Sequence, residues 1–144
     1  MTRVRASGIL TRGGTVLTLQ YRYSQGLVYG FPGGGNHDGE TLSQTVVREF
    51  QEELNLNVAV KGVVFVGNAP AQPTIPATLH VVFEVSSHED PVLNPQHTSA
   101  AGFAWLDQWQ LENLNLYPAI DPQALFSAAH YAPYSENCLN RDWL

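Results

Sequence analysis

This chain of 144 residues has a single cysteine, Cys138, so an internal disulfide is excluded; it also has no apolar run long enough to cross a bilayer. Basic residues are scarce: seven Lys and Arg stand against 13 Asp and Glu, a formal charge of −6. A basic stripe along a nucleic-acid backbone is therefore not expected, and neither a nucleic-acid polymer nor a membrane is expected as a partner. No His/Cys grouping has zinc-site spacing, and no repeat or low-complexity tract divides the sequence. At this length one domain over residues 1–144 with one core is expected. The apolar stretch after Met1 is too short for a secretory signal, which predicts cytoplasmic residence.

What the chain does have is acid concentrated on one helix. Glu49, Glu52 and Glu53 are spaced i, i+3, i+4, so on a 3.6-residue helix they share one face about one turn long. Like charges at this spacing cost a few tenths of a kcal/mol per pair, and a hard divalent cation is the natural offset. Mg²⁺ or Mn²⁺ favours oxygen ligands and keeps sites open for phosphate and water. Leu42, Val46, Val47, Phe50 and Leu54 form the apolar stripe that would bury the opposite face. Thr41 with Gln44 fits a capping box at the start, and Asn55 suits a left-handed C-cap. Arg48 lies beside the acids, where its fork of donors can orient a carboxylate.

Ahead of this helix stands Tyr29-Gly30-Phe31-Pro32-Gly33-Gly34-Gly35. Consecutive glycines let backbone amides and carbonyls approach a ligand without side chains in the way. Elsewhere the pattern is strand, strand, loop, helix, strands, helix. Val4 to Leu10 and Thr15 to Tyr21 flank the Gly13-Gly14 turn signal. Leu27 to Phe31 feeds the glycine loop, and Val58 to Gly67, Leu79 to Val85 and Phe103 to Leu106 read as strands. Pro70, Pro73 and Pro76 make residues 69–77 a surface loop. Asp121-Pro122 should start a helix reaching about Ala129. These elements predict an α/β fold with a mixed β-sheet between helices. The tail from His130 holds Tyr131, Tyr134 and Trp143 and is expected to pack on its own domain, with a homodimer as the alternative.

Gly34, Glu40, Arg48, Glu49, Glu52 and Glu53 fall at the spacing of the Nudix box, G-x5-E-x7-R-E-U-x-E-E-x-G-U, with U a bulky apolar residue. The box here spans residues 34–56. Phe50 replaces an aliphatic residue and Asn55 the final glycine. Trp105-Leu106 and Leu116-Tyr117-Pro118 are also similar to segments of small Nudix domains. The resemblance implies a Nudix-type α/β/α sandwich and divalent-metal-dependent hydrolysis of a nucleoside diphosphate linked to another group.

On this reading Glu49, Glu52, Glu53 and the Gly34 carbonyl hold Mg²⁺ or Mn²⁺. Glu52 or Glu53 orients or deprotonates the attacking water, with Arg48 as their support, and Glu40 supports the loop. Arg22, Tyr29, Phe31, Gly33 and Gly35 are the candidate substrate contacts, with Tyr21 and Tyr23 in the same aromatic cluster. Many family members carry a further acid shortly before the tryptophan strand, where this chain has residues 97–102, His-Thr-Ser-Ala-Ala-Gly. The base then comes from the box, from His97, or from Glu84, Glu89 or Asp90. His80, inside a predicted strand, reads as a packed or edge histidine. Pro70 resembles a position associated with ADP-ribose cleavage, so ADP-ribose or a similar nucleoside diphosphate sugar is the expected substrate. Modified nucleoside triphosphates, or a nucleotide sensor without catalysis, are the alternatives.

Overall fold

In a computed structural model, described here for residues 1–126, 134–135 and 138, the chain forms eleven elements. They are β1 (Arg3–Arg12), β2 (Thr15–Tyr23), β3 (Gly26–Gly30), β4 (Gly33–Gly35), α1 (Leu42–Leu54), β5 (Ala59–Ala69), β6 (Thr78–Ser86), β7 (Gly102–Leu106), α2 (Gln108–Glu112), α3 (Pro122–Phe126) and β8 (Tyr134–Ser135). The strands among the described residues join in one mixed sheet of order β3-β2-β1-β6-β5-β8, with β4 on β1 and β7 on β2. The β1–β6 and β5–β8 pairs are parallel, and the rest are antiparallel.

One feature of this topology shapes everything near the glycines. β6 occupies one edge of β1 from Arg3 to Leu10. The other edge is shared: β2 meets it only at Thr11 and Arg12, and β4 takes Arg5 to Ser7. β2 and β4 therefore diverge from a common strand, and the sheet opens between them.

Two apolar layers cover the sheet. Ala6, Leu10, Leu17, Leu19, Val81 and Phe83 face α1 and meet its Val46, Phe50 and Leu54, while Ile9, Val16, Val82 and Phe65 face Leu111 of α2 and Leu125 of α3. This is a sandwich with α1 on one side and α2 and α3 on the other, as the sequence predicts. Each fully buried large apolar side chain contributes roughly 1.5–3 kcal/mol. Phe50 fits because β1 carries Gly8 beneath it; a Cβ on Gly8 would lie 2.7 Å from the ring. The aromatic departure in the box is thus matched by a missing side chain on the neighbouring strand.

Both predicted caps of α1 are present. Thr41 Oγ1 accepts from the Gln44 amide at 3.1 Å, and Gln44 Oε1 accepts from the Thr41 amide at 2.8 Å. Asn55 ends the helix at φ 53° in the left-handed region. The apolar stripe needs one correction: Val47 is 41% exposed, and Thr45 is buried in its place. Polar bonding explains this, because Thr45 Oγ1 donates to Glu40 Oε1 at 2.7 Å and accepts from Asn36 Nδ2 at 2.9 Å.

Sequence periodicity missed β4, α2 and β8, which are too short to show a period. α2 is nonetheless signalled by Asp107 and Gln110, which form a second capping box. The helix expected to reach Ala129 is described only to Phe126, and Tyr131 and Trp143 of the tail lie outside the described residues. Within the tail, residues 134–135 pair with β5, and Cys138 is buried, its amide donating to Asn68 O at 3.1 Å. No helix of the described residues is long and apolar enough to cross a membrane.

Candidate active site

The acidic face of α1 lies against β4, where glycine permits close approach. A Cβ on Gly34 would collide with the Glu49 carboxylate, so that acid can sit on the strand only because Gly34 has no side chain. The same contact places the Gly34 backbone beside the first acid of the helix.

Arg48 organises the cluster. Its Nε and Nη2 donate to the two Glu40 oxygens at 2.7 and 3.0 Å. Nη1 donates to Glu49 Oε1 at 2.9 Å and Glu52 Oε2 at 3.2 Å, and Nη2 also reaches Gly35 O at 3.1 Å. The guanidinium is held well above its ordinary range, first by Glu40 and then, against some burial, by Glu49. Glu40 is held well below the usual carboxylate range by Arg48 and Thr45, with its Oε1 also accepting from the His37 amide at 3.1 Å. It supports the loop, as expected from sequence.

Glu53 differs from the other acids. It is 5% exposed. Its Oε1 accepts from the Gly33 amide and its Oε2 from Thr98 Oγ1, both at 3.0 Å. Burial pushes its carboxyl up to about 7, with Glu49 adding to the rise and the bonds from Gly33 and Thr98 opposing it. A carboxyl that titrates near neutrality is suited to exchanging a proton with water.

The three acids expected to share a cation do not form a preassembled cage: among the described residues no group of three His, Cys, Asp or Glu side chains is arranged to hold a metal. The reason is visible in their partners, since Arg48 holds Glu49 and Glu52 while Gly33 and Thr98 hold Glu53. The donor set still fits a hard divalent cation. It is all oxygen, and Glu53 is a desolvated carboxyl repelled by Glu49, a combination that added positive charge would relieve.

A cavity of about 260 Å³ adjoins this cluster, lined by Arg5, Tyr21, Tyr23, Val28, Tyr29, Gly30, Ile75 and Tyr117. Arg5 Nη2 donates to Phe31 O at 3.2 Å and Gly33 O at 3.3 Å, which sets a cation between the cavity and β4. Burial and then the Glu53 charge push the Tyr21 hydroxyl up to about 12, so this ring feels both the cavity and the acids.

The sequence-predicted substrate contacts divide accordingly. Tyr29 lines the cavity, and Gly33 and Gly35 border the acids through their bonds to Glu53 and Arg48. Phe31 is a correction: its ring is 0% exposed and belongs to the core, and only its carbonyl, bonded to Arg5, is near the site. Arg22 is exposed on β2 and is not among the residues lining the cavity, whereas Arg5 is. The sequence gives little signal for Arg5, one of three arginines on β1.

The candidate bases outside the box are also occupied elsewhere. Glu89 takes the amide and side chain of Asn57, Asp90 pairs with Arg12 at 3.1 Å, and Glu84 lines a separate cavity with Arg12 and Lys61. His97 is exposed; the adjacent Thr98 makes the loop's bond to Glu53. Where many relatives of the box carry an acid, this chain supplies a hydroxyl to an acid of the helix.

An acid-bearing, capped helix is packed on a glycine strand at the split of a mixed sheet, and its all-oxygen side chains are of the kind hard divalent cations favour. The chain belongs to the Nudix family of pyrophosphohydrolases, whose NUDIX domain profile matches residues 1–126. Solved structures agree in fold. The Escherichia coli ORF135 protein is 21% identical with TM-score 0.69, covering 86% of each chain. An ADP-ribose pyrophosphatase from Streptococcus suis is 18% identical with TM-score 0.68, covering 94% of this chain and all of its own (100%). A MutT Nudix hydrolase from Burkholderia pseudomallei is 19% identical with TM-score 0.66, covering 76% of this chain and 86% of its own. Among curated proteins no sequence matches this chain.

Proposed function

We propose that this protein hydrolyses a phosphoanhydride bond in a nucleoside diphosphate linked to a second group, with ADP-ribose or a similar nucleoside diphosphate sugar as substrate. Mg²⁺ or Mn²⁺ would be held by Glu49, Glu52, Glu53 and the Gly34 carbonyl; when bound, it supplies charge neutralisation at the phosphate oxygens and an acidified water. Glu52 or Glu53 would orient or deprotonate the attacking water, and Arg48 keeps Glu49 and Glu52 in register. The base and ribose occupy the tyrosine-walled cavity, and Arg5 faces the diphosphate.

The observation that carries this reading is the distance between the two halves of the site, a single residue. Gly33 receives Arg5 on its carbonyl and presents its amide to Glu53. A substrate with a flat aromatic group at one end and a pyrophosphate in the middle matches that spacing. The Streptococcus suis protein named as an ADP-ribose pyrophosphatase and a structure named UDP-X diphosphatase, at TM-score 0.71, support a linked diphosphate. Modified nucleoside triphosphates are the second reading, favoured by the relatives named MutT from Burkholderia pseudomallei and Methanosarcina mazei.

A panel of ADP-ribose, UDP-sugars and nucleoside triphosphates, assayed with Mg²⁺ or Mn²⁺, tests the reading. Release of a nucleoside monophosphate from ADP-ribose or a UDP-sugar, abolished in Glu53→Gln, is the expected result. Preferred release of pyrophosphate from triphosphates favours the second reading. Tight binding of a nucleotide with no turnover of any overturns both in favour of a sensor.

A further inference from the structure

Two buried side-chain atoms lack a hydrogen-bond partner among the described residues, Ser7 Oγ and His80 Nδ1. His80 is the more informative. It is 0% exposed, on β6 across from Arg5 of β1. Its other nitrogen, Nε2, lies 2.9 Å from the Tyr117 hydroxyl, and the two rings meet edge to face at 88° with centroids 4.9 Å apart. Tyr117 lines the cavity. His80 therefore stands directly behind one of its walls.

Burial, with the charges of Arg5 and Arg3 adding to it, pushes the imidazole down to about 3. The ring is neutral at physiological pH and carries one N–H. If the proton were on Nδ1, a donor would be buried without an acceptor; if it is on Nε2, the orphaned atom is a bare lone pair. Orphaned buried donors are the rarer and costlier case. Nε2 then donates to Tyr117 Oη, and the hydroxyl proton of Tyr117 points away from His80.

We infer that His80 is a positioning residue for substrate recognition: by holding the Tyr117 ring and fixing its hydroxyl as acceptor toward the sheet, it sets the grip of the cavity on the aromatic part of the substrate. His80 makes no contact with the reacting groups in this scheme and acts only through Tyr117. The identity of the ligand rests on the function proposed above, and the link between the two side chains stands apart from it.

Two measurements decide the matter. Nitrogen-15 NMR of the metal-free, substrate-free protein is expected to show His80 protonated on Nε2 and bare on Nδ1, without titration from about pH 5 to about pH 9. Protonation on Nδ1, or titration in that window, overturns the assignment. The second is a double-mutant cycle read with ADP-ribose and Mg²⁺ and by calorimetric binding of AMP, on variants whose folding is checked by thermal unfolding. His80→Leu and Tyr117→Phe are each expected to raise KM about tenfold with kcat within about twofold, and together to do no worse than either alone. His80→Gln, which keeps a donor near Nε2, restores KM. Additive losses, or an equal loss in kcat, overturn the inference, and where His80→Leu does not fold the His80→Gln and Tyr117→Phe arms decide. If the wild type neither binds AMP nor turns over any nucleotide, the proposed function fails, and the NMR result alone still decides the bond between His80 and Tyr117.

Discussion

Arg5 and Glu53 engage opposite ends of one residue: Arg5 Nη2 lies 3.3 Å from the carbonyl oxygen of Gly33, and Glu53 Oε1 lies 3.0 Å from its amide. A strand and a helix far apart in sequence thereby place a cation and a buried acid on either side of a single glycine. Arg5 lines an aromatic cavity and Glu53 shares the acidic face of α1 with Glu49 and Glu52, so cavity and acids meet at one short piece of β4.

Glu52→Gln and Glu53→Gln test the acids of the helix. Each is expected to lower kcat with Mg²⁺ by at least about 100-fold, equal to about 2.7 kcal/mol of transition-state stabilisation, with an unchanged circular dichroism spectrum. Near-wild-type rates in both variants would mean that water is activated elsewhere.

The raised Glu53 carboxyl makes a prediction about stability in the absence of metal. Its folded value of about 7 lies above the ordinary 4.5, so the folded state binds more protons between these values, and stability falls as pH rises through them. The full effect is on the order of 3 kcal/mol. Denaturant titrations of metal-free protein should show this loss between about pH 4.5 and pH 7. Glu53→Gln should remove the slope and be the more stable protein at pH 8.

Arg48→Ala releases Glu40, Glu49 and Glu52 together. Glu40 has a depressed folded value, so its contribution is present above the ordinary carboxylate range and is lost as pH falls. The variant should unfold at a lower temperature at neutral pH, and the deficit should close on acidification. Its kcat should drop by about tenfold or more, and Arg48→Lys should recover it only in part, because an ammonium cannot replace the fork. Differential scanning calorimetry and steady-state rates check both.

Arg5 and Arg22 are separable by kinetics. Arg5→Ala should raise KM for the turned-over nucleotide by at least about tenfold, since it removes the cation next to β4. Arg22→Ala, exposed on β2, should leave kcat and KM within about twofold of wild type. The opposite ranking would return the substrate cation to Arg22.

How much of this was legible in the chain follows from the range of each interaction. Thr41, Gln44 and Asn55 act within one helical turn, so both caps of α1 could be read directly, and the box acids occupy neighbouring turns of that same helix. The strands flanking Gly13-Gly14 are likewise set by local pairing. The order of the strands around β1, and that Arg5 rather than Arg22 lines the cavity, were not legible, because they depend on which edge of β1 each partner takes. The occupation of Glu53 by Gly33 and Thr98 links residues 20 and 45 positions apart.

The amino-acid order alone therefore determined the helix, its ends, its acid content and the family. Tertiary structure decided which acid is buried, which arginine meets the cavity, and that Phe31 is core while Tyr29 and Tyr117 are wall. The physical reason is that helix caps and charge spacing are local, whereas burial is a property of the packed sheet. A side chain's solvent exposure, and with it the proton affinity of Glu53 and His80, exists only once β1, β4 and β6 have come together.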